Sequence, residues 1–445
     1  MSPRGHVAVV GGGLAGISAA LALQESGVRT TLYEARPRLG GATHSFDRDG
    51  LTVDNGQHIF LKCCTAYRGL LERLGAQDRV RVQDRLDIRV LTPDGTSGRL
   101  RRAKAPGPLH LLPALARYRL LSPGDRLRAV RASLALQGLD PQDPALDAVG
   151  MGGWLAAHGQ RERARTALWE LFLISALNIG VDDAAMGPAA MVCKEGLLGR
   201  ADAADIGVPT VPLGELHGGI AARRIERLGG RVHLKAKVSA VEAGPKLVVD
   251  GEPVAADAVV VAVPHRAAAP LVPAQACPDR DRWAGLGSSP IINVHVVYDR
   301  PVMDLPFAAA IGSPVQWVFD RTEISGLAGG RGQYLAVSVS AADGWIDTPA
   351  ADVRAAFLPA LARLFPAARR ARVTDFFVTR ERHATFRQSP GSGALRPASA
   401  TRLPGVFLAG AWTDTGWPDT MEGAVRSGLT AARLVRRHLD GVSGR

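Results

Sequence analysis

The sequence predicts an α/β protein in which one domain is split into three pieces along the chain and a second domain fills the gaps. Three observations predict it. His6 to Gly41 reads as strand, glycine turn, helix, strand; strand-and-helix patterns of the same kind return at 206–285 and 396–445. Between them, Ile291 to Arg300, Val315 to Phe319 and Tyr334 to Ser340 alternate apolar and polar residues, as half-buried antiparallel strands do. The expected segments are 1–85, 206–285 and 396–445 for the first domain. Residues 86–205 (helical) and 286–395 (sheet) make the second.

The first element carries the strongest signal. Val7 to Val10 is a short apolar run that stops at Gly11, Gly12 and Gly13, after which Leu14, Ile17, Ser18 and Leu21 recur at helical spacing. Gly11, Gly13 and Gly16 form G-x-G-x-x-G: the first permits the turn, the second lets backbone approach a pyrophosphate, the third lets helix pack on strand. The helix N-terminus, with its unpaired N–H groups, then faces phosphate. Gly27 ends the helix, Val28 to Tyr33 is the second strand, and Glu34 closes it where a carboxylate accepts from ribose hydroxyls. A dinucleotide site is the expectation.

The residues from Glu34 onward separate flavin from nicotinamide. Glu34-Ala35-Arg36-Pro37-Arg38-Leu39-Gly40-Gly41 resembles the E-x-R-x-x-x-G-G signature of the FAD-dependent amine oxidase and phytoene desaturase superfamily. The resemblance implies FAD and a split Rossmann-like FAD-binding domain. It also implies an α+β substrate domain with a mixed or antiparallel sheet and a helical subdomain. The implied cofactor contacts are Gly11, Gly13, Leu14, Ala15, Gly16, Glu34, Ala35, Arg36, Arg38, Gly40 and Gly41.

Phe46 and Val53 flank Asp49-Gly50 in a hairpin that leads to a polar turn, Asp54-Asn55-Gly56-Gln57-His58. This turn is similar to the D-N-G-Q-H segment of the superfamily's squalene-associated branch, where it lies against the flavin ring. Gly56, Gln57 and His58 are therefore expected at the cofactor. His58 is also the first choice for a proton donor, because imidazole titrates near neutral pH. Further along, Val238 matches the valine whose backbone pairs with adenine in the superfamily. Leu403 to Gly410 reads as a strand ending in glycine, and Asp419-Thr420-Met421-Glu422 has capping-box spacing before a helix through Val435. The resemblance puts Gly410 at the cofactor, and the N–H groups of Met421 and Glu422 at the flavin N1/C2 edge, where a helix N-terminus stabilises negative charge. Trp412 to Pro418 is close to the branch's W-T-D-T-G-x-P turn, and Asp414 within it is the second choice for the acid. Two positions depart from the superfamily pattern: Ala411 stands where an aspartate usually follows the glycine, and Ala42 where many relatives carry arginine.

Composition bounds the partners. Lys and Arg exceed Asp and Glu by twelve, which suits acidic partners, but 5% aromatics and no aromatic-basic motif argue against nucleic acid. Cys63, Cys64, Cys193 and Cys277 offer no C-x-x-C pair, so neither a disulfide framework nor a metal site is expected. From Arg99 to Arg131, arginines (Arg99, Arg101, Arg102, Arg117, Arg119) alternate with leucines (Leu109, Leu111, Leu112, Leu115, Leu120, Leu121). That stretch is either a solvated helical face or a peripheral contact with anionic lipid. No window is long and apolar enough to span a bilayer, so the expected location is the cytoplasm, with any membrane contact peripheral on the inner face of the plasma membrane. Trp154 to Gly180 is helical by pattern, with Leu168, Leu171, Phe172, Ser175 and Ile179 on one face. The resemblance makes it a substrate-cavity wall. Met186, Met191 and Cys193 suit either an adaptable pocket or ordinary interior.

Taken together, the resemblance implies reductive removal of the hydroxyl of hydroxysqualene to give squalene, on a route to hopanoids or related triterpenes. The implied ligand is an apolar isoprenoid. With no second G-x-G-x-x-G in the chain, the electron donor stays unidentified. The alternatives are a phytoene-type isoprenoid desaturase and, from another class, a non-catalytic prenyl-lipid escort of the GDP-dissociation-inhibitor type.

Overall fold

A computed structural model describes residues 5–327 and 332–443. Five parallel strands carry the glycine turn, in the spatial order Arg231–Leu234, Arg29–Glu34, His6–Val10, Ala258–Val261, Val406–Leu408. By rank in the chain that order is 3-2-1-4-5. It reverses beside His6–Val10, which opens a ligand crevice at the carboxyl ends of the strands. The central strands read VAVV and AVVV because both faces are covered. On one face lie the helices Leu14–Glu25 and Met421–Ser443. They touch backbone to backbone, since a Cβ on Gly428 would stand 2.1 Å from the Ala15 carbonyl oxygen. Met421 is two turns before that contact, roughly 10 Å along the axis. The glycine-ended strands from opposite ends of the chain therefore converge.

On the other face sits a three-stranded antiparallel sheet, Val238–Glu242, Lys246–Val249 and Glu252–Ala255. The pattern predicts one strand from Arg231 to Val241; the chain instead leaves the parallel sheet at Lys235, which has φ +58°. The N–H groups of Lys235 and Ala236 turn to the carbonyls of Arg36 and Glu34, and this contact pulls the segment out of the sheet.

A second, seven-stranded sheet runs Val373–Thr385, Ser289–Tyr298, Gln333–Val339, Trp317–Asp320, Phe307–Ala310, Asp87–Leu91, Ser97–Arg101. It is mixed, because Phe307–Ala310 pairs parallel with Asp87–Leu91 while its other neighbours pair antiparallel. Two of its strands thus come from a segment the sequence reads as helical. Period-two alternation assigns the faces. Ile292, Val294 and Val296 pack on Val353, Phe357 and Leu361 of the helix Ala350–Leu364. Asn293 and His295 face the opposite way, on the side where Phe307, Trp317 and Phe319 form an apolar wall with Leu171, Ile59 and Leu61.

The predicted helix from Trp154 to Gly180 is two helical stretches, broken where Gly159 takes φ +68°. The second ends at Asn178, which has φ +52°. Leu168, Leu171 and Phe172 pack on the apolar wall, Ser175 is exposed, and Ile179, Met186 and Cys193 belong to a separate helical core.

Candidate active site

The first side of the crevice is made by absent side chains. A Cβ on Gly16 would lie 1.9 Å from the Gly11 carbonyl oxygen, and one on Gly11, at φ +103°, 2.6 Å from that of Ala262. Gly41 meets Gly13 in the same way, at 2.8 Å, and Gly40 N–H donates to the Gly12 carbonyl at 2.8 Å. The two glycine pairs are therefore stacked. Above Gly13 the space is open to 3.9 Å. The helix beginning at Leu14 has no side-chain cap, so its first N–H groups, from Leu14 and Ala15 onward, are left for an anion. The Glu34 carboxylate accepts from Gly12 N–H at 2.7 Å and from Arg36 N–H at 2.8 Å, which holds it at the strand end. Ala35 and Arg36 are exposed there, and the buried Nε of Arg38 has no partner among the described residues. Val238 follows the turn that bonds to Glu34 and Arg36, so it starts its strand beside them.

The turn after the hairpin is held by its neighbours. Asp54 forms a buried ion pair with Arg321 and also accepts from Ser45 Oγ at 2.5 Å and Leu213 N–H at 3.0 Å. Asn55 donates to the Ala42 carbonyl at 2.8 Å and to Glu381 at 3.2 Å, and its own carbonyl accepts from Asn293 at 3.0 Å. These bonds lock Gly56, Gln57 and His58 in place. A Cβ on Gly56 would stand 3.1 Å from His58 Nε2. His58 is enclosed by protein yet keeps accessible surface, as a group lining an interior crevice does. Burial and then the Arg321 charge push its pKa down to about 4, so the ring is neutral at physiological pH. Behind it, His217 Nε2 bonds the Tyr67 hydroxyl at 2.8 Å, and burial lowers its pKa to about 3. Among the described residues, Gln57 Oε1, Asn293 Oδ1 and His217 Nδ1 are buried without a partner.

The last side of the crevice is built from polar side chains. Gly410, at φ +138°, donates its N–H to Ser427 Oγ at 2.8 Å. One terminal nitrogen of Arg396 reaches the carbonyls of Ala411, Thr413 and Trp417 and the Thr415 hydroxyl, at 2.6–3.1 Å. That guanidinium gathers the whole Trp412–Pro418 turn. Asp414 sits exposed on the turn's outer side.

The capping box expected at Asp419 to Glu422 does not form. Thr420 caps the helix, its hydroxyl accepting from Gly423 N–H at 3.2 Å. Glu422 is buried and turns away to accept from the N–H groups of Ala66 at 3.0 Å and Tyr67 at 2.7 Å, with Arg426 Nε at 2.7 Å. It therefore caps the helix Thr65–Leu74. Asp419 accepts from Phe386 N–H at 2.8 Å, and burial raises its pKa to about 6 against the pull of that bond and of Arg396. The sequence pattern hid the roles of Arg321 and Asn293, which act across more than two hundred residues, and those of Arg396 and of the Asp419 carboxylate, whose partners lie outside any local motif.

One strand brings the two sides together. Val373–Thr385 meets Asn55 through Glu381, and Phe386, just past its end, meets Asp419; five residues of strand span about 16 Å. Glycine cradle, free helix N-terminus, fixed carboxylate and unpartnered buried Arg38 and Gln57 atoms define a dinucleotide-binding oxidoreductase site that fits a flavin.

The chain belongs to the flavin containing amine oxidoreductase family, whose profile matches residues 14–436. It is 31% identical to the hydroxysqualene dehydroxylase of Rhodopseudomonas palustris over 96% of this chain and 98% of that one, and 28% identical to that of Sinorhizobium fredii over 97% and 98%. A zeta-carotene desaturase of Zea mays is 26% identical over 97% and 84%. Among solved structures, a putrescine oxidase triple mutant matches with a TM-score of 0.73 at 22% identity, over 97% of this chain and 99% of that one. The cyclohexylamine oxidase of Brevibacterium oxydans matches with a TM-score of 0.73 at 20% identity, over 98% and 100%. The protein is a flavin-dependent oxidoreductase of this family, resembling its hydroxysqualene dehydroxylases. Among the described residues no helix is long and apolar enough to cross a membrane.

Proposed function

We propose that the protein is an FAD-dependent hydroxysqualene dehydroxylase that replaces the hydroxyl of hydroxysqualene with hydrogen to give squalene. The observation that carries this reading is a division of labour: an apolar cluster of Phe307, Trp317, Phe319 and Leu171 packs through Ile59 and Leu61 directly beside the polar turn at 54–58. A long hydrocarbon with a single hydroxyl matches that division, whereas a charged amine finds no counter-charge in the wall.

Glu34 would hold the ribose hydroxyls, the N–H groups of Leu14 and Ala15 with Arg38 the pyrophosphate, and the Val238 backbone the adenine. Gly40, Gly41, Gly56, Gln57 and Gly410 would line the remainder. The Met421 and Glu422 N–H groups, at the positive end of the last helix, would face the pyrimidine edge of the ring. Bound there and reduced, FAD supplies hydride. His58, neutral in the resting site, acts as a hydrogen-bonding group that orients the substrate hydroxyl, and the aromatic wall excludes water from the reacting carbon.

The patch at 99–131 divides in two. Arg99 and Arg101 pair with Asp87, Arg102 pairs with buried Asp205, and Leu120 and Leu121 are core. Leu109, Leu112 and Leu127 remain exposed, by 53%, 40% and 54%, among exposed Lys104, Arg117, Arg119 and Arg131. This exposed group is the proposed peripheral contact with anionic lipid, through which an apolar substrate would arrive.

The test is anaerobic incubation of the purified holoprotein, reduced with dithionite, with hydroxysqualene. One squalene per flavin is expected, and none overturns the reading. A second reading, an isoprenoid desaturase, draws on the zeta-carotene desaturase likeness; conversion of phytoene by the oxidised protein would favour it.

A further inference from the structure

Loss of a hydroxyl requires a proton at the departing oxygen, and three of the obvious donors are poorly placed. Asp414 is exposed to bulk water, Glu422 is saturated by three donors, and His58 is neutral in the resting site. Asp419 differs from all of them. It precedes the last helix by two residues and, like His58, is enclosed by protein while keeping accessible surface. Its Oδ2 accepts from Phe386 N–H at 2.8 Å, and among the described residues no donor reaches Oδ1. Its backbone N–H donates to Gln388 Oε1 at 3.1 Å, and the Gln388 amide donates to the Leu177 carbonyl at 2.8 Å. The backbone at Asp419 is thereby tied through Gln388 to the end of the helix Glu170–Leu177, while its carboxylate is held by Phe386.

We propose, on the dehydroxylation reading above, that Asp419 is the acid that protonates the departing hydroxyl. The C–O bond breaks, the oxygen leaves as water with the Asp419 proton, and the carbon takes the hydride that reduced flavin supplies. Alcohol, hydride and proton become hydrocarbon and water, and solvent reprotonates the carboxylate. Burial favours the protonated acid, while the Phe386 N–H and the Arg396 guanidinium oppose it. Asp414 and Asp147 face Arg396 in turn. The balance leaves an acid that titrates near pH 6, close to the optimum for proton transfer at neutral pH.

The experiment is single turnover of dithionite-reduced holoenzyme with hydroxysqualene, comparing wild type with Asp419→Asn, whose amide oxygen still accepts from Phe386. The variant should keep its flavin and bind the alcohol with unchanged Kd, read from the flavin absorbance change. Squalene should form at least about 100-fold more slowly. The wild-type rate should fall as pH rises through about 6, and the residual rate of the variant should be flat. Independently of turnover, infrared difference spectra of wild type between about pH 5 and 8 should show a titrating carboxylic-acid C=O band that Asp419→Asn lacks. Equal rates and pH profiles in the two proteins, or no such band in wild type, overturn the assignment while leaving the dehydroxylase reading intact. No squalene from wild type overturns both.

Discussion

The two sides of the crevice are made by opposite means. At Gly11–Gly16 the chain approaches itself because side chains are missing; at Gly410–Met421 it is gathered by Arg396, Ser427 and Phe386, polar groups far away in sequence or across a turn. A site of the first kind tolerates no added atom at Gly11 or Gly16, where a Cβ would meet backbone. One of the second kind depends on buried charge and hydrogen bonds, so it responds to pH and to loss of a single guanidinium.

The sharpest way to break the contrast is Gly16→Val. Its Cβ would overlap the Gly11 carbonyl oxygen, so no folded holoprotein is expected, as judged by soluble yield and flavin content. Arg396→Met should come next. It strips one buried donor from four acceptors, and leaving several buried polar atoms unpaired costs about 3 kcal/mol or more. Denaturant unfolding should show that loss, and flavin should dissociate more readily. A variant as stable as wild type would mean that the last turn, like the first, is held by shape alone.

pH sharpens the comparison because the histidines around the 54–58 turn and on the second sheet titrate in the opposite sense to Asp419 on the last side. His58, His217 and His295 have folded pKa values of about 4, 3 and 3, below the unfolded 6.5, so the unfolded chain binds more protons under pH 6.5. Their contribution is intact above that pH and is lost on acidification towards 3–4. Asp419 runs the other way: its folded pKa, about 6, exceeds the unfolded carboxylate value, so stability is lost as pH rises from about 4 to 6. Three groups outweigh one, and unfolding free energy should drop by about 2–4 kcal/mol between pH 6.5 and 5. A flat profile in urea melts would show that the histidines are not held neutral. The smallest effect on stability is expected far from both sides. Arg117→Glu with Arg119→Glu should change it by under about 0.5 kcal/mol, yet abolish co-sedimentation with anionic liposomes; unchanged partitioning removes the lipid contact.

The same contrast explains what the sequence made legible. Gly11, Gly13, Gly16 and Glu34 lie within one βαβ unit, so spacing alone conveys their geometry. The turn at 54–58 was visible as a motif, but its fixing by Arg321 and Asn293 was not, because those partners sit more than two hundred residues away. Glu422 misled for a physical reason: its spacing from Asp419 is that of a capping box, while its carboxylate serves a different helix. Lys235 breaks a run that alternates like one strand, because its amide is bonded to Arg36 and not to a sheet neighbour. The strands Asp87–Leu91 and Ser97–Arg101 join the second sheet because Ile88, Val90 and Leu100 alternate onto its apolar wall, while Arg99 and Arg101 pair with Asp87 on the other face.

The bond from Glu422 to the amides of Ala66 and Tyr67 has a consequence for biogenesis. A nascent polypeptide made only as far as Gly405 lacks the outermost parallel strand, the helix Met421–Ser443 and the carboxylate that bolts residue 422 to residue 66. The parallel sheet and the capped end of the helix Thr65–Leu74 are therefore completed only once the segment 406–443 has been made, and a chain stopped before it is expected to be protease-sensitive despite an intact amino-terminal half.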